Sequence, residues 1–200
     1  MLLMACSISL TAQENKEENK EKDYSEAISF VEVWLDAQKD YENLPGISAA
    51  MVKDQEIVWK GAFGHSNLEE DEMAETNTIY SVCSISKLFT SVAIMNLYEE
   101  GKLRLDDEIA DLVPWFTIKQ AYEGSGPITI RRLLTHSSGL PRENYFSHWN
   151  EEYEFPTKEE ILEKLEDQET LYPAATYFQY SNLAMALLGF VVEEVSGMSY

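Results

Sequence analysis

Apolar residues recur at helical spacing in three segments of the chain, 25–38, 85–98 and 183–195. The first segment carries its apolar residues on one face, and this spacing predicts an amphipathic helix. The second and third are apolar around most of their circumference, and each is followed closely by a glycine, the residue that commonly ends a helix. We therefore predict that these two helices are buried. In the second segment the predicted buried positions are Leu88, Phe89, Val92, Ala93, Met95 and Leu97.

Shorter apolar runs predict a small sheet in the first part of the chain. Residues 47–52 and 57–63 are separated by a polar turn without glycine, and this pattern indicates a β-hairpin. Residues 78–80 are a further extended segment. Later in the chain, Thr157 and Glu160 have the spacing of a capping box at the start of a helix. Because strands come first and helices follow, the order favours an α+β fold over alternating βαβ units.

Charge excludes one class of partner. The 36 Asp and Glu residues outnumber 15 Lys and Arg residues, which gives a net charge of −21. A field of that sign repels phosphate backbones, so we expect no nucleic-acid binding. No run reaches the length of apolar residues that a transmembrane span needs, so we expect none.

The first twelve residues resemble the later part of a secretory signal peptide. They are apolar, have small residues near Ala12, and precede a polar, mixed-charge segment (13–23) that predicts a solvated linker. The usual basic start is missing, because the first lysine is Lys16. The segment is either a shortened export signal or only an apolar N-terminus, and we expect export to the periplasm or the exterior. The residues that end at Cys6 resemble a lipobox, which would anchor the protein through a lipid on Cys6.

Ser84-Ile85-Ser86-Lys87 is the first candidate for catalysis. Spacing alone decides little, because 11 Lys and 17 Ser in 200 residues give about one Ser-x-x-Lys match by chance. Its position is more informative, because residues three apart in a first helical turn share a face and place the Lys87 amine beside the Ser84 hydroxyl. A serine needs such a neighbour to become a nucleophile, and the positive helix end favours the negative charge that develops there. Alternatively, Ser84 only caps the helix and Lys87 is a surface charge.

Tyr180-Ser181-Asn182 precedes the third apolar helix in the same way. A phenol and an amide at this point would converge on one cleft with a nucleophile, or Tyr180 only packs. The histidines have no metal-ligand spacing, and we predict no metal and no cofactor. The three are His65, His136 and His148, which we interpret as loop or packing residues.

Several ordered blocks resemble the serine β-lactamase-related hydrolases, the branch with class C β-lactamases, penicillin-binding D,D-peptidases and esterases. The blocks are LPGISAAMV, the segment ending IYSVCSISKLFTSVAIMNLYEEGKLRLDDEIADLVP, ITIRRLLTHSSGLP and FQYSNLAMALLGFVVEEVSGMSY. The resemblance implies a β-lactamase/D,D-peptidase-like α+β fold. Residues 24–80 would begin the antiparallel sheet and its helices, residues 81–200 would form the helical part, and the C-terminal strands would be missing.

The resemblance also implies roles for four residues. Ser84 matches the acylated nucleophile, and its backbone N–H would form half of the oxyanion hole. Lys87 matches the activating partner, and Tyr180 the tyrosine that moves the proton between serine and leaving group. Asn182 matches the amide that hydrogen-bonds the substrate and the lysine. His136 would be structural, and we interpret Cys83 as a small buried neighbour of Ser84.

The sequence departs from the family in three places. Pro173-Ala174 stands where the family usually has Pro-Gly, and the hairpin turn lacks the expected glycine. The third family motif, a Lys- or His-containing tripeptide ending in Gly, would lie beyond residue 200.

We therefore expect the intact protein to hydrolyse an amide, ester or β-lactam bond of a small molecule or peptide through an acyl-enzyme, and residues 1–200 alone to be inactive. The alternative is a catalytically dead domain of the same fold that binds or senses cell-wall peptide.

Overall fold

The computed structural model describes residues 23–145 and 155–200. The predicted signal-like segment 1–12, with Cys6, and residues 13–22 of the predicted linker lie outside the described residues, as does His148. The described part of the chain divides into two compact units, with the boundary between Tyr80 and Ser81. In the described ranges, no helix combines the length and the apolar character that crossing a bilayer requires.

The first unit is a helix followed by a three-stranded antiparallel sheet. The helix α1 (Ser25–Tyr41) is followed by β1 (Gly46–Lys53), β2 (Glu56–Asn67) and β3 (Glu72–Met73), and the strand order is β1-β2-β3. The predicted first helix and hairpin are confirmed. The extended segment predicted at residues 78–80 is not a strand of this sheet, because β2 continues to Asn67 and pairs with β3 through a tight turn instead.

The hairpin turn shows why its missing glycine does not prevent pairing. Lys53 pairs with Glu56, so the turn consists of Asp54 and Gln55 alone. Both residues have positive φ, 50° and 70°. Two successive left-handed residues are typical of the turn whose twist matches that of the flanking strands, and Asp is among the non-glycine residues that enter this region most readily. The turn therefore has the geometry usually supplied by glycine, at some cost in backbone strain.

The second unit is helical and is organised around its last helix. A 3-10 turn (Cys83–Ile85) leads into α2 (Ser86–Glu99), and α3 (Ile109–Leu112), α4 (Ile130–Leu134), α5 (Lys158–Glu163) and α6 (Asn182–Ser196) follow. The long helices α2 and α6 pack together, and α6 also contacts α3 and α4. The predicted capping box at α5 is confirmed. The predicted α+β fold is confirmed, because after α1 the three strands precede all the helices of the second unit.

The prediction that α2 is buried around its circumference is wrong. Only Thr90, Ile94 and Leu97 of this helix are buried. Leu88 and Phe89 expose 65% and 69% of their surface. Apolar residues all round a helix indicate burial only where a neighbouring element covers every side, and α6 covers only one side of α2.

The core of the second unit lies between α6 and the elements that surround it. Its apolar side chains that expose at most 1% of their surface are Ile94, Ile109, Val113, Ile130, Leu133, Leu140, Leu165, Ala184, Leu187, Leu188 and Val191. This core fixes α6, and therefore the segment that enters it, relative to the start of α2.

Shortening a core side chain of α6 should destabilise the protein strongly. Leu187 has no exposed surface, so Leu187→Ala removes buried methyl groups and leaves a cavity. We expect a loss of about 2–5 kcal/mol in the free energy of unfolding, measured by urea denaturation. Leu171→Ala is the matched control, because Leu171 is 46% exposed in the same unit. Equal losses in the two variants would contradict the assignment of this core.

Candidate active site

The start of α2 places a serine hydroxyl beside a lysine amine. Because the 3-10 turn continues directly into the helix, Ser84 and Lys87 lie one turn apart, and Lys87 Nζ donates to Ser84 Oγ at 3.2 Å. Neither the 3-10 turn nor α2 has a side-chain N-cap. The Ser84 hydroxyl therefore contacts a lysine and does not cap the helix, so the alternative that Ser84 is only a helix cap is excluded.

A tyrosine from a distant part of the chain reaches the same hydroxyl. Tyr180 Oη donates to Ser84 Oγ at 2.9 Å, across 96 residues of sequence. The Lys87 ammonium lies 5.0 Å from the centre of the Tyr180 ring. Ser181 follows Tyr180, caps α6 through Ala184 N–H, and donates its own hydroxyl proton to the Pro141 carbonyl at 2.6 Å. The segment before α6 is therefore anchored on both sides, and this anchoring holds Tyr180 at Ser84.

The surroundings favour the ionised form of the Tyr180 phenol. The hydrogen bond with Lys87 lowers the pKa of Tyr180 most, the hydrogen bond with Ser84 lowers it further, and the charges of Lys87 and Arg142 act in the same direction. At a given pH, more of this phenol is ionised than of an isolated tyrosine. A phenolate that contacts a serine hydroxyl can accept its proton.

Asn182 lies in the same cluster, where it is held by a carboxylate. Its Nδ2 donates to Glu143 Oε1 at 2.6 Å, and Arg142 Nε lies 3.3 Å from the same oxygen. The Arg142 guanidinium in turn lies 5.1 Å from the centre of the Tyr180 ring. Arg142 and Glu143 were not predicted as site residues, although they directly follow the THSSGLP block. Their position after that block is the signal that could have indicated them.

These groups border a cavity of about 760 Å³ within the second unit. Its polar lining includes Ser84, Lys87, Glu143 and Asn182. The apolar lining consists of Phe155, Pro156, Ile161, Leu183 and Ala186. A cavity of this size that combines convergent polar groups with an apolar lining is typical of a small-molecule or peptide site.

The interpretation of Cys83 as a buried residue is wrong. Its side chain is exposed, lines the cavity, and its Sγ lies 3.6 Å from Ser81 Oγ. Cys83 has a φ of 45°, and in this left-handed turn before α2 its side chain is not covered by the helix core.

The backbone at Gly139, the glycine of the THSSGLP block, has no room for a side chain. Gly139 has a φ of 82°, and a Cβ there would lie 2.1 Å from the Tyr172 carbonyl oxygen. The Leu171 N–H donates to the Gly139 carbonyl at 2.8 Å, so the two segments approach closely. The loop that contains His136 is therefore fixed against the segment that leads to Tyr180.

No metal centre is formed by the described part of the chain, where no group of three or more His, Cys, Asp or Glu residues is arranged to hold an ion. His65 lies 3.0 Å from Asp71 in the first unit. The His136 ring contacts the Tyr180 ring, so this residue, for which the resemblance implies a structural role, lies beside the candidate site.

Removing the lysine should raise the pKa of the tyrosine. Subtracting the ultraviolet titration of Tyr180→Phe from that of the protein isolates one phenol, and we expect its midpoint below the ordinary value of 10.0. In Lys87→Gln the midpoint should return toward 10, because the largest stabilising contact of the phenolate is lost. Lys158→Gln is the control, since Lys158 pairs with Glu193. An unchanged midpoint in Lys87→Gln would contradict the coupling.

The fold is similar to that of solved hydrolases and penicillin-binding protein homologues. The octameric penicillin-binding protein homologue from Pyrococcus abyssi superposes with a TM-score of 0.74 at 33% identity, covering 86% of this chain and 40% of that one. EstCE1, described as a hydrolase with promiscuous acyltransferase activity, superposes with a TM-score of 0.73 at 26% identity, covering 87% of this chain and 48% of that one. The architecture is that of the β-lactamase and penicillin-binding protein class, as predicted.

The family follows from the sequence matches. The family model described as Beta-lactamase matches residues 32–200. Protein flp of Staphylococcus aureus (strain N315) is 30% identical over 170 residues, which cover 82% of this chain and 32% of that protein. The chain belongs to the beta-lactamase family, and it spans about a third of the length of this curated relative.

Proposed function

We propose that the intact protein is a serine acyl hydrolase that works through an acyl-enzyme on Ser84. One observation carries the proposal: Ser84 Oγ lies 3.2 Å from Lys87 Nζ and 2.9 Å from Tyr180 Oη, at the edge of a cavity. A nucleophile, an activating cation and a proton-transfer group thus meet at one atom.

In the acylation step, Ser84 Oγ forms a bond to the carbonyl carbon of an amide, ester or β-lactam. Tyr180, as the phenolate, takes the proton from Ser84, and Lys87 stabilises the negative charge on the phenol oxygen. Tyr180 then delivers this proton to the leaving nitrogen or oxygen as its bond to the carbonyl carbon breaks. Water attacks the resulting ester, Tyr180 takes a proton from the water, and this proton returns to Ser84.

Asn182 is the substrate-binding residue in this proposal. Its Nδ2 donates to Glu143 Oε1, which orients the amide, and in the proposed complex its carbonyl oxygen accepts from the substrate. A substrate N–H is the natural donor to such an oxygen. The substrate class is therefore a small acyl compound or peptide, in keeping with the class of proteins that the fold comparison found.

Export is proposed on the sequence alone. The apolar segment 1–12 and the polar segment after it support a location outside the cytoplasm, with either cleavage after Ala12 or lipid attachment at Cys6.

Mass spectrometry of the intact protein tests the proposal. After exposure to a fluorophosphonate, we expect one adduct, on the peptide that contains Ser84. A separate exposure to a penicillin asks whether a β-lactam also acylates the site. An adduct on another residue, or no adduct with either reagent, would contradict the proposed mechanism.

A further inference from the structure

His136 contacts the segment before α6 at four points. Its Nδ1 lies 3.1 Å from the backbone nitrogen of Ser181. Its ring contacts the Tyr180 ring in a tilted arrangement, with the centres 4.6 Å apart and the planes 32° apart, and the Phe178 ring contacts it in a T-shaped arrangement. Its carbonyl accepts from Gln179 N–H at 2.8 Å. One residue therefore holds both the backbone and the ring of the proposed proton-transfer group.

The contact with Ser181 determines which form of the imidazole is present. A backbone N–H can only donate, so Nδ1 must carry a lone pair, and a neutral ring then has its proton on Nε2. Protonation of Nδ1 would remove this acceptor. Because Ser181 is completely buried, its N–H would be left without a partner, and an unsatisfied buried donor is unfavourable.

The charges around His136 act against that protonation. Lys87 of α2 faces the ring, and burial together with the Lys87 charge lowers the pKa of His136 below 6.5. Tyr180 is the titratable ring stacked on it, and Arg142 lies over the Tyr180 ring. The charged residues of α4 are engaged elsewhere, Arg131 with Asp106 and Arg132 with the Pro127 carbonyl.

We propose that neutral His136 is a positioning residue for the acylation step, which holds Tyr180 and Asn182 in place through the Ser181 N–H and the stacked ring. This proposal rests on the function proposed for Ser84 and Tyr180. Protonation of His136 releases the segment that carries both residues and adds a positive charge beside Lys87. Acylation therefore requires the neutral ring, and the rate of acylation decreases as the pH falls through the pKa of His136.

His136→Asn separates the hydrogen bond from the titration. Asn carries an acceptor oxygen one bond beyond Cγ, as Nδ1 is in His, and this oxygen is not protonated in the range studied. Asn also accepts the φ of 54° that His136 has. His136→Gly keeps this backbone conformation and has neither acceptor nor ring. His65→Asn is the matched control, because His65 contacts Asp71 instead.

The experiment measures the rate of fluorophosphonate acylation from pH 5 to 8. Both rates are compared below the pKa of His136. For each pH unit of acidification there, acylation of the unmodified protein should slow about tenfold more than acylation of His136→Asn. At pH 8 this variant should keep its rate to within about tenfold, whereas His136→Gly should lose more at every pH, on the order of 10². An acid limb that is identical in the protein and in His136→Asn overturns the proposal.

A titration by NMR makes the result independent of catalysis. The His136 ring and the Ser181 amide should shift with one common midpoint below pH 6.5, and the Ser181 shift should be absent in His136→Asn. If Ser84 is not labelled at any pH, the proposed function is wrong. The titration then still tests whether His136 holds the Ser181 N–H. Separate midpoints for the ring and the amide overturn positioning, and a common midpoint supports it.

Discussion

Ser84→Ala should abolish covalent labelling and reduce hydrolysis by on the order of 10⁵ or more. The reason is that Ser84 Oγ is the atom to which both Lys87 and Tyr180 make hydrogen bonds. Alanine removes the only oxygen in this arrangement that can form the ester. The measurements are intact-protein mass spectrometry with a fluorophosphonate and turnover of a chromogenic ester.

Ser86→Ala is the matched control for this result. It makes the same chemical change two residues later, at the first residue of α2, where the alanine suits the helix. Labelling and turnover should remain within a few fold of the unmodified protein. Labelling that persists in Ser84→Ala, or that disappears in Ser86→Ala, would show that the nucleophile has been assigned to the wrong serine.

Local sequence pattern predicted the elements and their ends well. The two apolar helices and the hairpin lie within a few residues of their predicted positions, because periodicity and caps are properties of neighbours along the chain. At Thr157, for example, a four-residue pattern correctly predicted the capping box with Glu160. The third strand was misplaced, since two residues suffice for β3 and give no periodic signal.

Contacts across the chain were less predictable from pattern. The exposure of Leu88 and Phe89 depends on what covers α2, which the helix itself does not encode. The meeting of Ser84 with Tyr180 bridges 96 residues, and neither tripeptide has a spacing that implies it. The family resemblance implied that Ser84 and Tyr180 act together. The contacts of Arg142, Glu143 and His136 with the candidate site follow only from the distances in the structure.

Tyr180→Phe should lower the rates of acylation and deacylation by about 10²–10⁴, the usual contribution of a positioned acid–base group. The change removes one oxygen, the one that contacts Ser84 Oγ at 2.9 Å. The ring that stacks on His136 remains, so thermal unfolding should change little. Tyr177→Phe removes the same oxygen from a ring three residues earlier that is 63% exposed, and its rates should be unchanged. The measurements are stopped-flow acylation and the decay of the acyl-enzyme. Normal rates for Tyr180→Phe would show that this ring only packs, and equal losses in both variants would show that the effect is structural.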